Sequence, residues 1–177
     1  MENVFAKPSK HGVFSWDNLG DIKEGRADLG DDMPVLVYRL MQFTMLDVLS
    51  KELGPEKADE LFYKAGFLAG TQFAANVLDM TVDMSKFIAD LTAALENLKI
   101  GILRMESLNA DTGDITLTVE QDLDCSGLPV TGEMVCNYDE GFISGLLKAY
   151  TGQDYTVKEI NCWSNGDRVC RFNGKVE

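Results

Sequence analysis

The chain of 177 residues carries 29 acidic against 16 basic side chains, a net charge of −13, and 45 % of it is hydrophobic. That length suits one domain with an extra arm and buries a core without staples. The acidity excludes a phosphate-binding face, so neither nucleic acid nor an anionic membrane is expected as a direct partner, and no apolar run is long enough for a membrane span.

The N-terminal "MENVFAKPSKHG" has no apolar segment of the secretory kind, so the chain is expected to be cytoplasmic with reduced cysteines. Residues 1–33 read as a loop-rich arm with a short strand at Val13–Trp16, and residues 34–177 as the main domain. Asp31 or Asp32 before Pro34 predicts a helix start, with an acid capping free N–H groups and proline in the first turn. Leu36, Val37, Leu40, Met41, Met45, Leu49 and Leu53 then give a broad apolar helical face. Gly54 ends that helix and Pro55 opens the next, which carries Leu61, Phe62, Ala65, Leu68 and Phe73. Gly66 and Gly70, one turn apart, predict close approach of another element, since glycine otherwise weakens a helix. A third helix fits residues 83–99, with Phe87, Ile88, Leu91, Ala94, Leu95 and Leu98 inward.

The period then changes to two. "GILRMESL" and "DITLTVEQ" predict strands around the turn "NADTG", with Ile115, Leu117 and Val119 inward and Thr116, Thr118 and Glu120 in water. Residues 122–136 predict a loop, "NYDEGFISGLLKAYTG" a helix, and "YTVKEINCW" with "RVCRFNG" a closing hairpin. Segregated helices and antiparallel strands make the fold class α+β, with helices packed on an antiparallel sheet.

Neither a dinucleotide glycine motif nor a phosphate loop is present, and the one histidine, His11, lies in the arm without neighbours to orient it. The residues make no positive case for an enzyme. The four cysteines, Cys125, Cys136, Cys162 and Cys170, all fall in the last third. A three-residue loop Ser164–Gly166, with Gly166 left-handed, would set Trp163 opposite Asp167 and Cys162 opposite Arg168. Cys170 would then share a face with Cys162 at about 7–8 Å between α-carbons, which suits a shared metal better than a disulfide. A metal site, buried free thiols and a disulfide all remain readings of this pattern.

"CNYDEGFISGLLKAYTG…VKEINCWSNGDRVCRF" resembles the V4R (4-vinyl-reductase-like) domain, through Cys136, Tyr138, Gly141, Gly145, Glu159, Cys162, Gly166, Cys170 and Phe172. "LFYKAGFLAG" at 61–70 is similar to the family's helical segment, and the resemblance spans residues 13–174. It implies a structural zinc held by Cys136, Glu159, Cys162 and Cys170, with Cys125 as the alternative to Glu159, clasping the C-terminal hairpin. Strict alternation puts Glu159 and Cys162 on opposite strand faces, so a bulge or a late strand start must reconcile them.

The resemblance also implies a pocket for a hydrophobic, aromatic or tetrapyrrole-like molecule between helices and sheet, and a sensor or carrier role. Phe62, Phe67, Phe73, Phe87 and Met105 are the candidate lining, or ordinary core. Phenol sensors of the family use a pocket histidine and tryptophan that the helices and central strands here lack. The family implies a homodimer, for which the arm and first helix are the candidate interface. Two alternatives stand beside binding: an accessory factor or 4-vinyl reductase in tetrapyrrole metabolism, and a ligand-free dimeric adaptor.

Overall fold

A computed structural model describes residues 13–177, which fall into two units divided between Asp32 and Met33. His11 lies outside the described residues. In the first unit, Trp16–Leu19 is a 3-10 helix and α1 spans Ile22–Gly25. The strand expected at Val13–Trp16 is not formed. The Ser15 N–H donates to Asn18 Oδ1 at 2.7 Å, which folds this stretch into a turn.

The second unit runs α2 (Val35–Leu53), α3 (Pro55–Val77), α4 (Met84–Asn97), β1 (Ile102–Leu108), β2 (Ile115–Glu120), α5 (Asn137–Thr151), β3 (Tyr155–Asn161) and β4 (Cys170–Val176). The α+β expectation holds, with five helices among the described residues and one four-stranded antiparallel sheet in the order β1-β2-β4-β3. Pro34 sits at the N-cap of α2 and no side chain caps that helix, so the expected aspartate cap is not made. Gly54, at φ 88, separates α2 from α3 as expected, and the Asp83 carboxylate caps α4 by accepting from the Lys86 N–H.

The core forms where α4 and α5 lie over one face of the sheet. Register places Leu103, Val119 and Cys170 in one cross-strand row and Met105, Leu117, Phe172 and Glu159 in the next. Val157 and Phe172 are fully buried. The opposite face is less wet than alternation implies, because Thr118 is only 5 % exposed. It lies between Arg104 and Arg171 in the ladder, whose guanidinium groups pair outward with Glu120 and Glu106. Their aliphatic stems cover the threonine.

α3 packs on the outer side of α5 through four glycines. A Cβ at Gly66 would lie 2.0 Å from the Tyr138 carbonyl oxygen, and one at Gly70 2.0 Å from that of Phe142. Reciprocally, Gly141 faces the Tyr63 carbonyl at 2.0 Å and Gly145 that of Phe67 at 2.1 Å. The close approach predicted from Gly66 and Gly70 is therefore a backbone-to-backbone helix crossing, and α5 supplies the matching small residues. α2 inverts the expected pattern: its one buried residue is Gln42, while Leu36, Leu40, Met41 and Val48 are more than half exposed.

Candidate functional site

The hairpin departs from its expected register in an informative way. β3 pairs with β4 from Tyr155–Val176 to Asn161–Arg171, and the ladder shifts by one residue between Glu159 and Asn161. Ile160 is the extra residue, and it is exposed while Glu159 and Cys162 are both buried. The bulge that the spacing of Glu159 and Cys162 demanded is present. Beyond it, Cys162 does not face Arg168 across a three-residue loop. Its carbonyl accepts from the Asn165 and Asp167 N–H groups, closing a 3-10 turn at Trp163–Asn165, so the connection runs from 162 to 169. Gly166 is left-handed as predicted, at φ 100.

Four elements bring the cysteines together. Cys136 is the N-cap of α5, Cys162 follows β3, Cys170 opens β4, and Cys125 sits on the loop after β2. The Asp122 carboxylate holds that loop by accepting from the N–H groups of Asp124 at 2.8 Å and Cys125 at 3.1 Å. α2 holds it from outside. Arg39 donates to the carbonyls of Leu123 and Ser126, Tyr38 donates its hydroxyl to Asp124 Oδ1 at 2.8 Å, and Gln42 Nε2 donates to Asp124 Oδ2 at 2.7 Å. The loops after β2 and β3 are joined where the Thr131 and Gly132 N–H groups donate to the Ser164 carbonyl and the Trp163 indole to that of Leu128.

All four Sγ atoms lie within 4.8 Å of one another and are buried, and none is in a disulfide. Cys136 Sγ is 3.8 Å from both Cys162 Sγ and Cys170 Sγ, and Cys125 Sγ is 3.0 Å from Cys170 Sγ. A tetrahedron with zinc–sulfur bonds of about 2.3 Å has edges of about 3.8 Å. Thiol neighbours pull the Cys162 thiol well below its ordinary value and push those of Cys136 and Cys170 up.

Glu159 stands at the edge of this cluster. Its Oε2 accepts from the Cys136 N–H at 3.3 Å, its Oε1 is buried without a partner, and burial with the nearby Cys162 charge pushes it up to about 8. The Glu159 N–H donates to Glu140 Oε1 at 2.8 Å, and Glu140 Oε2 is paired with Lys158. Asp122 and Asp139 lie beside Cys136; burial and neighbouring carboxylates push Asp122 up to about 7 and Asp139 well above the usual range. Sequence reasoning missed these carboxylates beside the thiols, which no spacing announces because the loop, α5 and β3 supply them separately.

Two apolar cavities lie among the elements that carry the cluster and its neighbours. One, of about 40 Å³, is enclosed by α4, α5, β1 and β2, with Phe87, Leu91, Leu117 and Leu146 in its walls and Asp122 and Asp139 as its carboxylates. The other, of about 200 Å³, is a groove between α2 and α3 lined by residues including Gln42, Met45 and Phe62. Of the predicted lining, Phe87 borders the first and Phe62 the second. Phe73 instead packs edge-on against Phe142 at 5.5 Å, Phe67 lends its carbonyl to the glycine crossing, and Met105 pairs with Leu117 in the sheet.

Comparison with known proteins agrees with this architecture. Two uncharacterised proteins of Methanocaldococcus jannaschii are each 24 % identical over 149 residues, 84 % of this chain and 81 % and 79 % of theirs. The phenol-responsive sensory domain of the transcription activator PoxR, solved with phenol, is 18 % identical, with a TM-score of 0.63 over 81 % of this chain and 75 % of that one. A vinyl-4-reductase family protein from Methanocaldococcus jannaschii is 14 % identical, with a TM-score of 0.59 over 87 % of this chain and 88 % of that one. At these identities the solved structures share the fold. The family model for the V4R domain matches residues 115–176, a stretch that includes all four cysteines and Glu159. Residues 115–176 of this chain are thus similar to the V4R domain.

Proposed function

We propose that this chain is a V4R-type binding protein for an apolar small molecule, a cytoplasmic sensor or carrier whose fold is clasped by a structural zinc. The observation that carries the binding role is the enclosed cavity where α4 and α5 meet the sheet, apolar except for Asp122 and Asp139. A small-molecule role also fits the V4R match and the phenol-sensing domain that shares this fold. At about 40 Å³ the cavity is below the roughly 150 Å³ that admits benzene in an apolar core, so a ligand of that size requires the cavity to expand.

The donor set fits zinc. Cys125, Cys136, Cys162 and Cys170 would hold it, with Glu159 as the competing fourth ligand beside three of those thiolates. A divalent cation also offsets the carboxylates of Asp122, Asp139 and Glu159 that burial otherwise pushes toward protonation. Four protein ligands leave no open position, so the metal would supply folding energy rather than an activated water.

Native mass spectrometry of the protein from its source tests the reading. The expected result is about one zinc per chain, a co-purified apolar molecule and a dimer mass. Zinc-free protein with paired cysteines would sink the metal assignment. A dimer with no adduct, stabilised rather than disturbed by the cavity-filling Leu91→Phe, would favour a second reading, a ligand-free dimeric adaptor. The exposed apolar residues of α2 are the observation behind that alternative.

A further inference from the structure

The cations of the second unit are unevenly distributed. Eight of its twelve lysines and arginines form ion pairs with carboxylates. Of the four that do not, only Lys175 stands apart; Arg39, Lys99 and Arg168 all line one open cleft of about 680 Å³. Two acidic residues share its wall, and neither answers these charges. Glu120 pairs with Arg104 at 2.9 Å, and Asp122 is buried with Oδ1 receiving two backbone N–H groups. Asp167, next to Arg168, accepts from Asn161 Nδ2 instead. The net charge of −13 argues against a phosphate-binding face, but it is an average over the chain and hides this local cluster.

Backbone strain falls in the same place. Lys99 at φ 61 and Gln121 at φ 53 are the two non-glycine residues with positive φ among the described residues, and both line this cleft with exposed side chains. Lys99 follows the C-cap of α4, where a left-handed position favours glycine. Such strain gathers at binding sites, where a side chain is kept for what it contacts. The two guanidinium groups are held. Arg39 donates to the Leu123 and Ser126 carbonyls, and the Arg168 Cζ lies 5.0 Å from the centre of the Trp163 ring, itself fixed by its indole N–H on the Leu128 carbonyl. We propose that this cleft binds a small organic anion of two or more negative charges through Arg39, Lys99 and Arg168, with its apolar body against Val35, Leu123 and Val169. Three unpaired cations match a phosphate ester or a polycarboxylate better than a single carboxylate, and the volume suits a molecule of one or two rings.

The test uses the full chain and two probes with one ring system, 1-naphthyl phosphate, a dianion at about pH 8, and uncharged 1-naphthol. Benzene-1,3,5-tricarboxylate stands for the polycarboxylates, and whichever anion binds more tightly identifies the oxyanion. NMR titration is expected to shift the amides of Lys99, Gln121 and Val169 and the Trp163 indole N–H. The phosphate should bind about tenfold or more tightly than naphthol, with an affinity that falls as salt is added. Lys99→Gln and Arg168→Gln, both at exposed positions, should each weaken binding by about threefold or more. Lys99→Gly separates binding from structure: it should raise the melting temperature by relieving the left-handed position, yet weaken binding as Lys99→Gln does. Leu91→Phe, in the cavity under α4, should leave anion binding intact, so this inference and the function proposed above fail separately. Equal affinity for naphthyl phosphate and naphthol would overturn the inference. So would binding that survives unchanged when Lys99→Gln and Arg168→Gln are combined, or shifts confined to Phe87 and Leu91.

Discussion

At the residue scale, five donors compete for four positions. The sulfur separations from Cys136 match a zinc tetrahedron, and Cys125 is drawn in by the turn at Asp122, whereas Glu159 spends one oxygen on the Cys136 N–H. Cobalt substitution with X-ray absorption distinguishes the two sets. Four sulfur neighbours are expected in the wild type, three in Cys125→Ser, and still four in Glu159→Gln, whose metal affinity should fall by about 10–100-fold as for other groups behind a ligand shell. Three sulfurs in the wild type would assign the fourth position to Glu159. The candidate donors were all legible in the sequence, because cysteine and a strand glutamate are conspicuous there. Their ranking was not, because it depends on a 3-10 turn and a one-residue bulge at Ile160 that residue spacing leaves open.

At the scale of elements, the α3–α5 crossing and the cysteine clasp carry the most consequence. Gly141→Ala would put a methyl 2.0 Å from the Tyr63 carbonyl oxygen, and the two backbones cannot yield as a flexible side chain can. Denaturant unfolding should show a loss of about 3 kcal/mol or more, at the top of the overpacking range. A control at Gly127, where a Cβ meets nothing within 4 Å but φ is +91, should cost about 1 kcal/mol from backbone strain alone. Chelating the proposed zinc should lower the melting temperature by roughly 10 °C or more and open the loop at 121–136 to proteolysis first. That loop has no regular structure and is held to the rest by Tyr38, Arg39, Gln42 and the thiols. Helical periods and the Gly54–Pro55 break were readable from sequence, since both are local. Half of the glycine crossing was readable too, though Gly66 and Gly70 could not name their partner.

At the scale of the molecule, α2 presents an apolar face that the described residues do not cover. Leu36, Leu40 and Val48 lie 75 %, 62 % and 56 % exposed on a helix whose buried position is taken by glutamine. Such a face is expected at a subunit contact. Leu40→Glu with Val48→Glu should convert a dimer to a monomer in sedimentation velocity without unfolding it, and a wild-type protein monomeric at tens of micromolar would remove the dimer from the proposed function. No helix among the described residues is long and apolar enough to cross a membrane. The sequence by itself determined the α+β class, the order of elements in the main unit and the V4R resemblance, because periodicity, caps and motif residues act over a few positions. The tertiary structure decided which helix face is buried, that α5 is the partner of the α3 glycines, and that four thiols and a ring of carboxylates converge. Those outcomes depend on contacts between residues tens of positions apart, where the geometry of the whole packing, and no local preference, sets which side chains meet.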